Sequence, residues 1–88
     1  MSRLTTFRQR IDRLDAQLLT LLNRRAALAL QVGRLKRRRR MGVFDGRREW
    51  EVVRRLLQTN RGPLSSTAVQ RIFRAIMRQH RLLQKTSR

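Results

Sequence analysis

The chain has 88 residues, a length that allows one domain with a small hydrophobic core. It contains no cysteine, which excludes disulfides, thiolate metal sites and cysteine nucleophiles. Its 23 Lys and Arg residues against five Asp and Glu give a net charge of +18, which favours anionic partners such as nucleic acid, anionic lipid or a small polyanionic substrate.

Other classes are also disfavoured. One histidine and five carboxylates make a conventional metal centre improbable, and we expect neither a metal nor a cofactor. Arginine interrupts every apolar stretch well before the ~20 residues of a membrane span, and residues 1–10 lack the apolar core of a secretory signal. We therefore expect a cytoplasmic protein without a membrane partner, which gains stability by oligomerising.

A single long helix is predicted from about Ser2 to about Arg39. Gly33 is its one internal glycine, the region holds no proline, and Gly42 is placed to break the helix. At 1.5 Å per residue the helix would be roughly 55 Å long, too long for an 88-residue chain to cover by itself. We therefore expect it to pack against another copy. Apolar residues recur along it at alternating spacings of three and four: Leu4, Phe7, Ile11, Leu14, Leu18, Leu21, Leu28, Val32 and Leu35.

A second, shorter helix is predicted over about residues 46–59. Asp45 is a plausible N-cap, and Trp50, Val53, Leu56 and Leu57 form an apolar stripe. The helix ends before the breaker cluster at residues 60–63 (Asn-Arg-Gly-Pro).

A third helix is predicted over about residues 65–86, beginning at Ser65 or Ser66. The order of long, short and medium helices predicts a single all-α domain that covers residues 1–88. The residues on the buried face of the third helix are Val69, Ile72, Phe73, Ile76, Met77, His80, Leu83 and Gln84.

Two basic residues lie on the seam of the first helix, where apolar residues are expected. Arg25 occupies a seam position, and Lys36 lies on nearly the same face three turns later. A buried guanidinium is costly unless an anion pairs with it. Either both side chains extend to solvent along their apolar stems, or they line an interior site for an anion.

Five further polar residues allow two interpretations. Arg48 and Glu49 in the first turn of the second helix suit a surface ion pair, His80 and Gln84 suit the core edge, and Arg8 suits the surface. Together with the seam cations they describe a cationic pocket enclosed by helices. The sequence offers no prominent nucleophile and no glycine-rich phosphate loop. Chemistry in such a pocket would depend on electrostatics and positioning.

The order of these residues resembles a known family. Residues 7–15 (FRQRIDRLD), 21–26 (LLNRRA) and 32–36 (VGRLK) are similar to the first helix of all-helical chorismate mutases. Residues 43–49 (VFDGRRE) resemble the family pattern V-x-D-x-x-R-E, and residues 60–64 with 72–84 resemble its third-helix region. The resemblance covers nearly the whole chain.

The resemblance implies a fold and an activity. The fold is an intertwined homodimer whose long first helices run antiparallel and whose two active sites each take residues from both subunits. The activity is isomerisation of chorismate to prephenate in aromatic amino-acid (Phe/Tyr) biosynthesis, without a cofactor.

The resemblance also assigns roles by position. Arg25 and Arg48 would bind the substrate carboxylates, and Arg8 would reach into the partner's site for the same purpose. Lys36 and Gln84 would hydrogen-bond the ether oxygen of the breaking bond. Glu49, with the backbone at Asp45, would hold the ring hydroxyl.

His80 departs from the family pattern, in which a serine that contacts a carboxylate is common at this position. His80 could make that contact as an imidazolium, which would give activity a pH dependence near a pKa of ~6.5, or it could crowd the pocket.

Three other functions remain open on the sequence. A basic helical dimer could bind nucleic acid, and non-specific binding is expected at low salt. An isochorismate-pyruvate lyase shares the fold and a similar cationic pocket. A helical dimer could also keep the fold without activity.

Overall fold

The computed structural model describes residues 2–86, which form three α-helices and no strand. Helix α1 spans Arg3–Arg38, α2 spans Gly46–Thr59 and α3 spans Ser66–Thr86. The all-α prediction is confirmed, while the assignment of all 88 residues to one domain stays a prediction. Within residues 2–86, no helix has both the length and the apolar character needed to cross a bilayer.

Each helix is preceded by a residue whose side chain caps its first turn. Ser2, Asp45 and Ser65 each accept a hydrogen bond from the backbone N–H three residues further on, at 3.1, 3.0 and 3.1 Å. Such caps satisfy donors that have no partner inside the helix. Asp45 is thus the predicted N-cap, and of the two serines Ser65 is the cap of α3.

The end of α1 is set by Arg40, although the sequence marks Gly42 as the breaker. Arg40 has a φ of +54°, its N–H donates to the Arg37 carbonyl at 3.0 Å, and the Met41 N–H donates to the Lys36 carbonyl at 2.8 Å. This pair of bonds closes the helix with a left-handed residue in the place that glycine usually takes. The prediction for Gly42 is therefore wrong, because the chain has already reversed two residues earlier.

Helix α3 joins the other two helices. It packs against both α1 and α2, whereas no Cα atoms of α1 and α2 lie within 8 Å of each other in residues 2–86. The small core consists of Val53, Val69 and Met77, each 4–5% exposed. Ile72 and Leu83, which were expected on the buried face of α3, are 45% and 40% exposed and are not covered by this single chain.

The apolar seam of α1 is uncovered. The molecule is 56 Å long, and Gly33 is the one buried residue among those described in α1. Ten large apolar residues on this helix are between 46% and 62% exposed: Leu4, Phe7, Ile11, Leu14, Leu18, Leu19, Leu21, Leu28, Val32 and Leu35. So much contiguous apolar surface is typical of a protein–protein interface.

Gly33 allows α3 to approach α1 closely. A Cβ at this position would lie 2.9 Å from Cγ and 3.1 Å from Cβ of Gln84. Gln84 is 8% exposed, and its Nε2 donates to the Ala29 carbonyl at 2.7 Å. The absence of a side chain at Gly33 therefore determines where the Gln84 amide lies.

We predict that Gly33→Ala lowers the free energy of unfolding by about 1–2 kcal/mol, because overpacking at Gln84 outweighs the higher helix propensity of alanine. Urea unfolding at a fixed protomer concentration measures the change. Gly42→Ala, where nothing lies within 4 Å of the added Cβ, is the matched control and should stay within about 0.5 kcal/mol.

The penalty for Gly33→Ala should shrink in a Gln84→Ala background, where the nearest atom, Cγ, is gone. Equal effects of alanine at Gly33 and Gly42 would contradict the close approach of α1 and α3.

Candidate functional site

A cleft of about 280 Å³ lies where α1, α3, the loop before α2 and the first turns of α2 meet. Its volume is close to the lower end of the range for small-molecule sites. Its walls combine apolar and charged side chains. The lining residues are Arg25, Leu28, Ala29, Val32, Lys36, Val43, Asp45, Arg48, Glu49, Val52, Met77, His80, Arg81 and Gln84.

The cleft brings together most of the residues singled out in the sequence. Seven of the eight candidates line it: Arg25, Lys36, Asp45, Arg48, Glu49, His80 and Gln84. The eighth, Arg8, is exposed and lies 17 residues before Arg25, roughly 25 Å away along the helix. Arg8 therefore does not reach the cleft of its own chain.

Positive charge predominates in the cleft. The pKa of Arg25 is lowered from its ordinary value, first by burial and then by the nearby Arg48, while Glu49 opposes the shift. An arginine keeps its proton under any such shift, so Arg25 and Arg48 both stay charged and repel each other. An anion bound between them would relieve this repulsion, and the cleft therefore favours anions. The described lining carries four cations and two carboxylates: Arg25, Lys36, Arg48, Arg81, Asp45 and Glu49.

His80 is a partner of Arg25. Its Nδ1 lies 2.6 Å from Nη1 of Arg25, and because a guanidinium only donates, Nδ1 accepts this hydrogen bond. The side chain is 7% exposed, and burial followed by the charge of Arg25 lowers the pKa of His80 below its ordinary value. This environment favours a neutral imidazole near pH 7. It disfavours the imidazolium role in the ligand-free protein, and the part that His80 plays toward a substrate stays a prediction.

Lys36 on α1 and Gln84 on α3 both line the cleft. Nζ of Lys36 donates to the Val43 carbonyl at 3.2 Å, which ties the loop before α2 to α1. Gln84 uses one N–H on the Ala29 carbonyl, and an amide nitrogen carries a second. Each side chain is thus oriented by the backbone and retains donors beyond that bond.

Arg81 is the charged lining residue that the sequence interpretation missed. It forms an ion pair with Glu49, and its guanidinium lies 5.1 Å from the centre of the Phe44 ring. The only sequence signal is its position next to His80. That signal is weak in a chain with 23 basic residues.

Fold and cleft define a class: a small all-helical protein whose cation-rich site suits a compact dianion and provides hydrogen-bond donors rather than a nucleophile. The chain matches the family model for chorismate mutase type II over residues 7–85. It therefore belongs to the type II chorismate mutase family, and the resemblance noted in the sequence is confirmed.

The names of similar proteins agree with this family assignment. The chain is 43% identical over 70 residues to the bifunctional chorismate mutase/prephenate dehydratase of Neisseria gonorrhoeae, which covers 80% of this chain and 19% of that protein. It is 39% identical over 80 residues to the protein of the same name from Pseudomonas aeruginosa. This match covers 84% of this chain and 22% of the Pseudomonas protein. The chain thus spans about a fifth of the length of these relatives.

Solved structures agree as well. Form II of chorismate mutase from Thermus thermophilus superposes with a TM-score of 0.96 at 27% identity and covers 98% of both chains. Form I of chorismate mutase from the same organism gives a TM-score of 0.87 at 28% identity, with 90% of this chain and 99% of that chain covered. These matches confirm the all-helical fold.

The environment of His80 generates a pH prediction. Because folding lowers the pKa of His80, the unfolded chain binds more protons as the pH falls through about 6.5. The contribution of His80 to the free energy of unfolding is therefore fully present above that pH and is lost as the pH falls below it. We predict that the free energy of unfolding decreases between about pH 7.5 and 5.5, by at most about 1.4 kcal/mol per pH unit for one proton per chain.

His80→Gln is the matched variant, because it offers an acceptor to Arg25 but does not titrate. Its free energy of unfolding should vary less across this pH range, and His80 is the only histidine in the chain. Parallel pH profiles for the two proteins would contradict the neutral, buried imidazole.

Proposed function

We propose that this chain is an isomerase that converts chorismate to prephenate in aromatic amino-acid biosynthesis. Family membership and the names of the relatives support chorismate mutase activity. The observation that carries the proposal is the convergence of seven candidate residues on one cationic cleft. The proposal is limited to the mutase reaction, since the chain spans about a fifth of the bifunctional relatives.

The chemistry suits the side chains in the cleft. Chorismate carries two carboxylates, and its rearrangement breaks a C–O bond and forms a C–C bond within one molecule, so no nucleophile or redox group is needed. The protein must hold the substrate in its compact conformer and stabilise the charge that develops on the ether oxygen. Fixed donors in a partly desolvated cleft can do both.

We assign the substrate carboxylates to Arg25 and Arg48, since arginine can bind a carboxylate through two parallel hydrogen bonds. We assign the ether oxygen to Lys36 and to the second N–H of Gln84. Both side chains are already oriented, by the Val43 and Ala29 carbonyls respectively, so little reorganisation is needed during reaction.

The ring hydroxyl is assigned to the Glu49 carboxylate and the backbone at Asp45. Both groups lie at the start of α2, where the Asp45 side chain caps the helix. His80 is assigned a supporting role: as a neutral acceptor at 2.6 Å it orients Arg25.

We further propose that the working form is a homodimer in which α1 of one subunit covers the other. The exposed seam of α1 and the 56 Å length of the molecule support this arrangement. In an antiparallel pair, Arg8 of one subunit can enter the cleft of the other. This arrangement gives Arg8 a role in binding although it lies too far from the cleft of its own subunit.

The remaining expectations from the sequence stay predictions. The cytoplasmic location is one. Weak, non-specific binding to nucleic acid at low salt is another, and it follows from the net charge of +18.

Activity should be tested first by following the disappearance of chorismate by absorbance at about 0.2 M salt, which mutes non-specific ion pairing. Identification of the product distinguishes the alternatives. Saturable formation of prephenate supports the mutase. If a folded protein leaves chorismate unchanged, the mutase proposal is wrong, and turnover of isochorismate would then identify the lyase.

We predict that Lys36→Ala and Arg25→Ala each fold but lose on the order of 10²–10³ in kcat/KM, as expected for the loss of one oriented donor. The matched control is Arg78→Ala, which removes the same charge from an exposed position outside the cleft and should keep nearly full activity. A near-parental kcat/KM for either cleft variant would show that the residue does not contact the reacting substrate.

A shared active site makes a second prediction. Arg8→Ala and Arg25→Ala should each be nearly inactive alone, whereas a co-refolded mixture should recover about a quarter of the wild-type activity, since half of the dimers are mixed and each of these holds one intact site. A mixture no more active than its components would contradict the sharing of residues between subunits.

A further inference from the structure

Arg81 occupies a place in the cleft that the assignments above do not use. It follows His80 on α3, and the two side chains reach in different directions: His80 to Arg25 of α1, and Arg81 to Glu49 of α2. Both side chains of the ion pair are largely buried, with 25% of Arg81 and 13% of Glu49 exposed. A shielded pair of this kind is screened less by solvent than a surface pair.

Arg81 also touches the loop that precedes α2. Its guanidinium lies 5.1 Å from the centre of the Phe44 ring, within the range of a cation–π contact. The Phe44 ring is 65% exposed and lies against Gly46, where an added Cβ would come within 3.2 Å of it. Arg81 therefore contacts both sides of the Asp45 cap: the loop through Phe44 and the first turn of α2 through Glu49.

We propose that Arg81 is a positioning residue, which fixes the Glu49 carboxylate and the Phe44 loop at the edge of the cleft so that Glu49 faces the ligand. The inference rests on the proposed function, because it concerns how the group assigned to the ring hydroxyl is held.

The packing of the helices gives α3 a part in placing Glu49. Within the described chain, no Cα atoms of α1 and α2 lie within 8 Å of each other, so the position of Glu49 relative to the cations of α1 depends on α3 and on the loop before α2, which Lys36 holds through the Val43 carbonyl. Arg81 is the α3 side chain bonded to Glu49. Its loss would leave the carboxylate free to turn toward another cation of the cleft, such as Arg25 or Arg48.

Arginine suits this position better than lysine. The planar guanidinium can stack one face on Phe44 while its edge donates to Glu49, whereas an ammonium is a point charge that cannot do both with the same geometry. Arg81→Lys therefore keeps the charge and removes the stacking plane. Arg81→Met keeps much of the length and removes the charge.

The first test is the steady-state kinetics of these variants with chorismate. The ring hydroxyl takes no part in bond breaking, so the loss of its partner weakens ground state and transition state alike. We expect Arg81→Met to raise KM roughly 10-fold and to change kcat by less than about threefold, with Arg81→Lys between it and the wild type. Arg78→Met, at an exposed position of the same helix, should leave both constants unchanged.

A double-mutant cycle tests whether Arg81 acts through Glu49. If it does, the effect of Arg81→Met on kcat/KM disappears in a Glu49→Ala background. An undiminished effect would mean that Arg81 binds the substrate directly, which overturns the positioning role. Wild-type constants for Arg81→Met would overturn it as well.

A test without substrate separates this inference from the proposed function. Amide hydrogen exchange over residues 43–49 should be faster in Arg81→Met than in Arg78→Met, while the slowest-exchanging core amides stay unchanged. Equal exchange in the two variants overturns the inference even if the wild type is a mutase. Faster exchange supports the inference even if the wild type fails to turn over chorismate, a result that would reject only the function.

Discussion

The packing of α3 between α1 and α2 is the contact on which the rest of the structure depends. Within residues 2–86, no Cα atoms of α1 and α2 approach within 8 Å of each other, and α3, which packs against both helices, holds them on either side of the cleft. Gly33 lets α3 come close enough for Gln84 to reach the Ala29 carbonyl. One turn earlier, His80 and Arg81 bond to α1 and α2. The same helix therefore closes the core and orients the polar lining.

The electrostatics of the cleft follow from this arrangement. Four cations and two carboxylates share a small, partly buried volume, so the ligand-free site is short of negative charge. A neutral imidazole at His80 relieves part of the repulsion, because it accepts from Arg25 without adding another charge. A compact dianion supplies what is missing. The binding of such a ligand and the stabilisation of developing negative charge thus use the same excess of donors.

Much of the fold could be predicted from the sequence, because helix periodicity and capping are local. The same alternation of three and four placed Arg25 and Lys36 on one face and so indicated a site before any tertiary information. Arg81 was missed because its partners come from distant parts of the chain, and one more arginine carries no signal in so basic a sequence. The protonation of His80 depends likewise on tertiary structure, first on burial of the ring and then on a guanidinium 55 residues away. The reversal at Arg40 was missed because arginine seldom adopts a positive φ.

The hydrogen bonds that α3 makes to Arg25 and Glu49 have a consequence for selectivity. Neither group waits unpaired for a ligand, so a small molecule enters by exchanging one set of partners for another. A monovalent anion such as acetate or chloride engages one cation at a time and gains little from that exchange. A rigid molecule that contacts several of these groups at once forms several hydrogen bonds in exchange for the ones that are broken, and its binding is therefore favourable. We therefore expect the cleft to discriminate by the number and spacing of charges and to favour a rigid polyanion over simple salts.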